Sequence, residues 1–263
     1  LEANWDGFAD STSGIQYFEY AVGTTAGESD VSNGWVSVGT NTSFSATFTL
    51  SEAVVYYVSI RATDNVNNIS ELVTSNGITT DFTGPQGTWV IDGDSSDIDW
   101  QNYTDSYSGY WLHFIEEGSG FKTHEYALYN NDNSQYITSW TATLDTSSNI
   151  TGISLAENQT YSLHVRGIDS VDNVGDVLMS DGVLVDLSAP AAPMNLVGWF
   201  STERIYLVWD QNEEADLDHY SIYGGTEMNS STLLYTTTDP IAEAFMPEFE
   251  DSTTYYLRIT ATD

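Results

Sequence analysis

The sequence predicts an all-β chain of three tandem β-sandwiches, and three observations carry that prediction. A nine-residue stretch occurs three times, as Tyr56–Asp64 (YYVSIRATD), Tyr161–Asp169 (YSLHVRGID) and Tyr255–Asp263 (YYLRITATD). In each copy every second residue from the first tyrosine is apolar or small: Tyr56, Val58, Ile60 and Ala62; Tyr161, Leu163, Val165 and Gly167; Tyr255, Leu257, Ile259 and Ala261. That is the period of a half-buried antiparallel strand, and it points Ser59, Arg61, His164, Arg166 and Arg258 outward. No stretch sustains a helical period, whereas Gly, Ser, Asn and Asp cluster between apolar runs, as at Thr24–Gly34 and Asp64–Asn68.

The repeat extends well beyond the strand. Trp5, Phe8, Gly14, Glu19 and Tyr20 return 106 positions later as Trp111, Phe114, Gly120, Glu125 and Tyr126. After one deletion the spacing is 105, and it matches Trp35 with Trp140, Arg61 with Arg166, Asn68 with Asn173, Asp81 with Asp186 and Pro85 with Pro190. Matches at so constant a spacing mark a duplication. The predicted domains are therefore 1–85, 86–190 and 191–263. Leu1 aligns with position 107, so the first repeat is expected to lack roughly its first twenty residues; the third is expected to lack its last strand.

Within the first repeat, Leu1–Trp5 alternates as a strand with Trp5 inward, and Gly14–Val22 reads as the next. Trp35–Val38 and Ser43–Leu50 follow, then Tyr56–Thr63 and finally Gly77–Asp81. The joints are Asp81-Phe-Thr-Gly-Pro85 and Asp186-Leu-Ser-Ala-Pro190-Ala-Ala-Pro193. Proline has no N–H for a ladder and a fixed φ, so each joint ends a sheet and stiffens the passage onward, which predicts an extended array. In the third domain Ile205–Trp209 reads as a core strand, Asp216–Tyr223 as a turn and strand, and Tyr255–Asp263 as the recurring strand.

Trp-x-x-Phe, Ser-Gly-Ile and Glu-Tyr-Ala, followed by Tyr-x-x-x-x-Arg-x-x-Asp, resemble the tandem immunoglobulin-like and fibronectin type III repeats of large bacterial extracellular and cell-surface proteins. The resemblance covers essentially the whole chain. It implies a β-sandwich in which the leading tyrosine's hydroxyl ties back to the preceding corner. It implies no single role, because this sandwich hosts many.

Composition narrows the functions. With 39 Asp and Glu against 5 Lys and Arg, the net charge is −34. Such a surface repels nucleic acid and anionic membrane and attracts cations. The chain has 0 cysteines, so neither disulfides nor thiolate metal sites can form. No apolar run is long enough for a membrane helix. His113, His124, His164 and His219 fall in no zinc-binding pattern, and neither a nucleophile elbow nor a phosphate loop occurs, so no enzyme activity is expected.

Two kinds of residue stand out as candidate sites. Asp92, Asp94, Asp97 and Asp99 crowd one loop with the hard oxygen ligands that Ca²⁺ selects, though not in EF-hand order. Smaller sets follow the recurring strand, Asp64 with Asn65, Asn67 and Asn68, and Asp169 with Asp172 and Asn173. These can face a neighbouring domain or simply close Asx turns. Among eight tryptophans, Trp5, Trp111 and Trp209 hold core positions, and Trp35 and Trp140 repeat as packed residues. Trp89, Trp100 and Trp199 have no aligned partner and are candidates for stacking on a sugar ring.

These observations predict a non-catalytic structural or adhesive segment of an extracellular or cell-surface protein, a stalk, spacer or filament former that requires no cofactor and for which Ca²⁺ is the candidate ion. Its partners would be neighbouring domains and further copies of itself. The alternative is a carbohydrate-binding accessory module of a secreted polysaccharide-degrading enzyme, with polysaccharide as the partner.

Overall fold

The computed structural model describes residues 1–201, 204–238 and 252–263, and for residues 200, 201 and 204 the backbone alone. Every regular element among them is a strand, as the sequence predicts. Residues 1–85 hold β1 (Glu2–Asn4), β2 (Ile15–Gly23), β3 (Val36–Gly39), β4 (Ser43–Ser45), β5 (Val55–Asp64), β6 (Val73–Thr74) and β7 (Ile78–Thr79). Residues 86–190 hold β8 (Val90–Asp92), β9 (Trp100–Gln101), β10 (Ser106–Trp111), β11 (Phe121–Asn130), β12 (Gln135–Tyr136), β13 (Thr141–Thr143), β14 (Ser147–Thr151), β15 (Thr160–Asp169), β16 (Leu178–Met179) and β17 (Val183–Val185). Beyond them lie β18 (Val197–Ser201), β19 (Arg204–Val208), β20 (His219–Gly225), β21 (Leu233–Thr237) and β22 (Tyr256–Thr262).

Two compact units emerge: Leu1–Asp97 with Ser108–Asn149 and Ser162–Asp181, and Ile98–Tyr107 with Ile150–Tyr161 and Gly182–Asp263. In the first, β3-β2-β5-β6 form one sheet, with β7 also on β5, and β1-β4 form another. Phe18, Tyr20, Val22, Val58, Ile60 and Ala62 fill the space between, joined by Trp5, Phe8 and Phe44. The Tyr20 and Phe44 rings stack at 3.7 Å. Two sheets closed over one apolar layer make a β-sandwich. The same unit carries β8 on β10, β12 and β13 on β11 and β16 on β15, around buried Trp111, Phe114, Leu128 and Leu163.

In the second unit β9 runs parallel to β17, which pairs through Val183 and Leu184 with Tyr161 and Thr160 at the start of β15. Tyr107 is buried there and donates its hydroxyl to the Tyr161 carbonyl at 2.7 Å. Further along, sheets β18-β19 and β21-β20-β22 enclose Leu207, Trp209, Tyr220 and Ile222.

The tyrosine tie implied by the resemblance forms twice. Ser51 N–H donates to Tyr56 Oη at 2.8 Å, and Ala156 N–H donates to Tyr161 Oη at 2.9 Å. Each bond fixes the turn that feeds a strand of 10 residues. The corresponding corner before Tyr255 falls on position 250, outside the described residues.

The outward face of the recurring strand departs from the expectation. Ser59 and His164 are buried, and Arg61 and Arg166 are half-covered. The cause is the hairpin arm that carries Trp35 or Trp140. Arg61 lies 4.2 Å over the Trp35 ring and pairs at 2.8 Å with Glu19, its cross-strand neighbour on β2. Arg166 repeats this over Trp140 at 4.2 Å, with Glu125 at 2.7 Å. Arg258 lies 4.5 Å over Tyr223, its partner on β20. In the first two repeats a cation over an aromatic face, itself neutralised by a carboxylate, covers the middle of a sheet that would otherwise face water.

The strand expected over Ser43–Leu50 is also shorter than predicted. Its ladder with β1 closes at the Leu1 and Ala46 backbones, and β4 ends at Ser45.

Candidate functional site

Asp64 and Asp169 end the first two recurring strands and fold their following loops in the same way. Asp64 Oδ1 accepts the N–H groups of Val66 and Asn68 at 2.9 and 2.8 Å, and Asn68 Nδ2 donates to Oδ2 at 2.8 Å. Asp169 does the same with Val171, Asn173 and Asn173 Nδ2 at 2.9, 2.8 and 2.7 Å. These are Asx turns. Burial pushes the Asp64 carboxyl up, but the hydrogen bonds from Asn68, Val66 and Ser13 outweigh it and leave the group below its ordinary value.

In the second repeat this loop meets the joint. Asn173 Nδ2 donates to the Asp81 carbonyl at 3.1 Å, and Ser119 N–H donates to Asp81 Oδ2 at 2.6 Å. Hydrogen bonds from Ser119 hold the Asp81 carboxyl below its ordinary value. Gln86 and Ile115 exchange backbone bonds of 2.9 and 2.8 Å.

Glycines let the chain come this close. A Cβ on Gly84 would lie 2.3 Å from Gly175 N, one on Gly175 would lie 1.9 Å from Pro85 O, and one on Gly167 would lie 2.6 Å from Pro85 Cβ. The passage Asp81–Gln86 is thus seated in the second repeat by contacts that any side chain at these positions would push apart.

Carboxylates gather at the same place. Asp81, Glu116 and Asp169 each bring an oxygen within 4.8 Å of the others, with Asp169 buried. Charges of one sign held this close favour a divalent cation, and oxygen-only ligands suit Ca²⁺. A second group brings Asp92 and Asp97 together with Asp181, again within 4.8 Å. Asp97 Oδ1 also accepts the Asp92 N–H at 3.2 Å. Asp94 and Asp99 are exposed and belong to neither group.

Sequence reasoning missed Glu116, Asp181 and the glycine seat. Glu116 had a signal, because it aligns with Asp10 at the 106-residue spacing. Asp181 had none, since only the fold brings it to the Asp92 loop.

The three candidate stacking tryptophans are all partly open. Trp89 is 39 % exposed, edge-on to Tyr110, and Trp199 is 45 % exposed, stacked on its cross-strand partner Tyr206 at 5.5 Å. Trp100, 41 % exposed, lines an open cleft of about 510 Å³ with Asn102, Tyr103, Asp186 and Asp216. The second joint is also hydrogen-bonded: Glu214 Oε1 accepts the Ala191 N–H at 2.7 Å and Asn212 Nδ2 donates to the Ala191 carbonyl at 2.7 Å.

No protein-family model matches the chain, and no curated protein matches it. Among solved structures, the FN1-FN3 domains of chicken CNTN1 are similar over 100 % of this chain and 88 % of that one, with 14 % identity and a TM-score of 0.44. The sandwich assignment stands on the sheets and cores of the chain itself.

Proposed function

We propose that the chain is a non-catalytic structural segment, three sandwich repeats in series, acting as a spacer or adhesive stalk of an extracellular or cell-surface protein. The observation that carries this reading is the seated joint: Asp81–Gln86 is hydrogen-bonded to Ser119, Asn173 and Ile115 and packed onto Gly167 and Gly175. A flexible tether between independent domains has no need of such a seat, whereas a spacer that transmits position does. Ca²⁺ held by Asp81, Glu116 and Asp169 is the finer part of the proposal, since it would offset most of the charge of three carboxylates where the repeats meet.

Backbone ¹⁵N relaxation on the full chain tests the joint. Residues 1–80 and 108–149 should report one common rotational tensor, and independent tumbling of the two groups would sink the spacer reading. For the ion, thermal melting should rise and saturate with Ca²⁺ but not with Na⁺ at matched ionic strength. Equal effects of the two salts would leave only general screening.

A second reading, carbohydrate binding, draws on the Trp100 cleft, where two exposed aromatic rings stand beside the polar groups of Asn102 and Asp186. Quenching of tryptophan emission by a polysaccharide, lost in Trp100→Ala, would favour it.

A further inference from the structure

The second repeat carries an aromatic group that the first lacks. Tyr136 of β12 stands edge-on to its cross-strand partner Tyr129 at 5.0 Å, and Tyr129 stacks on His164 at 4.5 Å. The Tyr136 hydroxyl meets His164 Nδ1 at 3.1 Å. By the repeat spacing, Tyr129 falls on Gly23 and His164 on Ser59, while Tyr136 falls opposite Asp30 and Val31. The first repeat builds the same Trp, Arg and Glu arrangement without these three rings, so the frame does not require them.

His164 is buried, and burial holds its pKa below the ordinary value, so the ring is uncharged at neutral pH. A neutral imidazole nitrogen accepts well and a phenol donates well, so Tyr136 donates to Nδ1. Oxidation makes a phenol strongly acidic, and a base already in hydrogen-bond contact takes its proton at once, which eases loss of the electron. Trp140, 5.5 Å from Tyr136, is a poor place for the resulting hole: Arg166 lies 4.2 Å over its ring, and that positive charge opposes a second one. Tyr136 is 47 % exposed on the edge strand of its sheet, so its ring carbons are open to a partner.

We propose that Tyr136 is a site of oxidative cross-linking between two copies of the chain. A one-electron oxidant, a high-valent metal centre or an organic radical, takes an electron from the phenol while the phenolic proton passes to His164 Nδ1 and then to solvent. Two such phenoxyl radicals, one on each copy, form a carbon–carbon bond between ring positions ortho to the oxygens. The ortho hydrogens then shift to the oxygens and restore both phenols, so each link reduces two oxidant equivalents and releases two protons. With a charge of −34 on each chain, copies meet only when salt screens them, which makes the link depend on ionic strength. This inference stands apart from the spacer role, because it needs only the folded second repeat.

The test mixes the full chain with substoichiometric tris(bipyridine)ruthenium(III), a cationic one-electron oxidant, and maps the products by mass spectrometry. A covalent dimer with dityrosine fluorescence should form through Tyr136, in a yield that rises with NaCl. Tyr136 should be consumed about tenfold or more faster than Tyr103 and Tyr256, which are 41 % and 40 % exposed and have no histidine partner among the described residues. His164→Phe, which keeps a ring against Tyr129, should remove that advantage, and Tyr136→Phe should remove the dimer. The comparison of sites within the unaltered chain depends on no variant. Consumption of Tyr136 no faster than of Tyr103 would overturn the proposal, as would an undiminished rate in His164→Phe or links at other tyrosines. Oxidation that ended on Trp140, or on Met179 beside His164, with no dimer at high salt would overturn it in favour of a path that only disperses oxidising equivalents.

Discussion

The first and second repeats share a tyrosine tied to its corner, a Glu–Arg pair and an indole under the guanidinium, yet they differ at two places. Facing the joint, Ala62 and Ser70 stand where the second repeat has Gly167 and Gly175. Inside the sheets, Phe18 and Ser59 stand where the second repeat buries His124 and His164. Duplication kept the bonds that define the frame, whereas the joint and the buried layer were free to diverge. Fold and inter-repeat chemistry are thus carried by different residues.

The largest test of that separation is Gly175→Ala. A methyl 1.9 Å from the Pro85 carbonyl forces the joint off its seat, and the second repeat should lose about 3 kcal/mol. Ser70→Gly, the reverse change in the first repeat, removes the bond from the Ala62 N–H and the exposed hydroxyl's bond to the Glu71 carbonyl, and should cost about 1 kcal/mol. Hydrogen exchange resolved by repeat, measured across a urea series, compares the two; equal losses would erase the distinction.

Acid should separate the repeats next. His124 is fully buried against Trp111, Phe114, Phe121 and His113, and accepts the Phe114 N–H on Nε2 at 3.3 Å. Burial, reinforced by His113, pushes its pKa from 6.5 down to about 4. Burial pushes His164 down as well.

A folded pKa below the unfolded one means that the unfolded chain takes up the proton first. Stability is therefore whole above the unfolded value of 6.5 and falls as the pH drops toward about 4. From His124 alone the second repeat should lose up to roughly 3 kcal/mol across that window. Most of the slope should vanish in His124→Phe, which installs the residue the first repeat has at Phe18. A first repeat that weakened in step with the second would contradict this account.

The smallest effect probes what the repeats share. Tyr56→Phe and Tyr161→Phe each remove one hydroxyl acceptor and should cost about 1 kcal/mol apiece, within error of one another. A clear inequality would show that the corner is not common ground.

How much of this was legible in the sequence follows the range of the interactions. Strand positions and the tyrosine corner are local or repeat at fixed spacing, so alternation and alignment found them. Alternation failed at Ser59 and His164, because it assumes one face meets water; here the arm bearing Trp35 or Trp140 covers that face. The Asp92 loop was legible as acidic, but adjacency suggested Asp94 and Asp99, whereas the fold brings Asp181 to Asp92 and Asp97. The glycine seat was hidden because its significance lies in Pro85, which precedes Gly167 and Gly175 by most of a repeat. A missing methyl is meaningful only once its neighbour is known.

The arginines laid over aromatic rings have a consequence for proteolysis. Only 5 residues in the chain are Lys or Arg, and Arg61, Arg166 and Arg258 each sit mid-strand beneath or beside an aromatic partner, one to a repeat. A trypsin-like protease needs the backbone at such a residue drawn out into its own cleft, so these bonds should be cut only when the strand that holds them opens. Each of the three fragment patterns would then mark the opening of one particular repeat, giving the folded chain a built-in label for which of its repeats yields first.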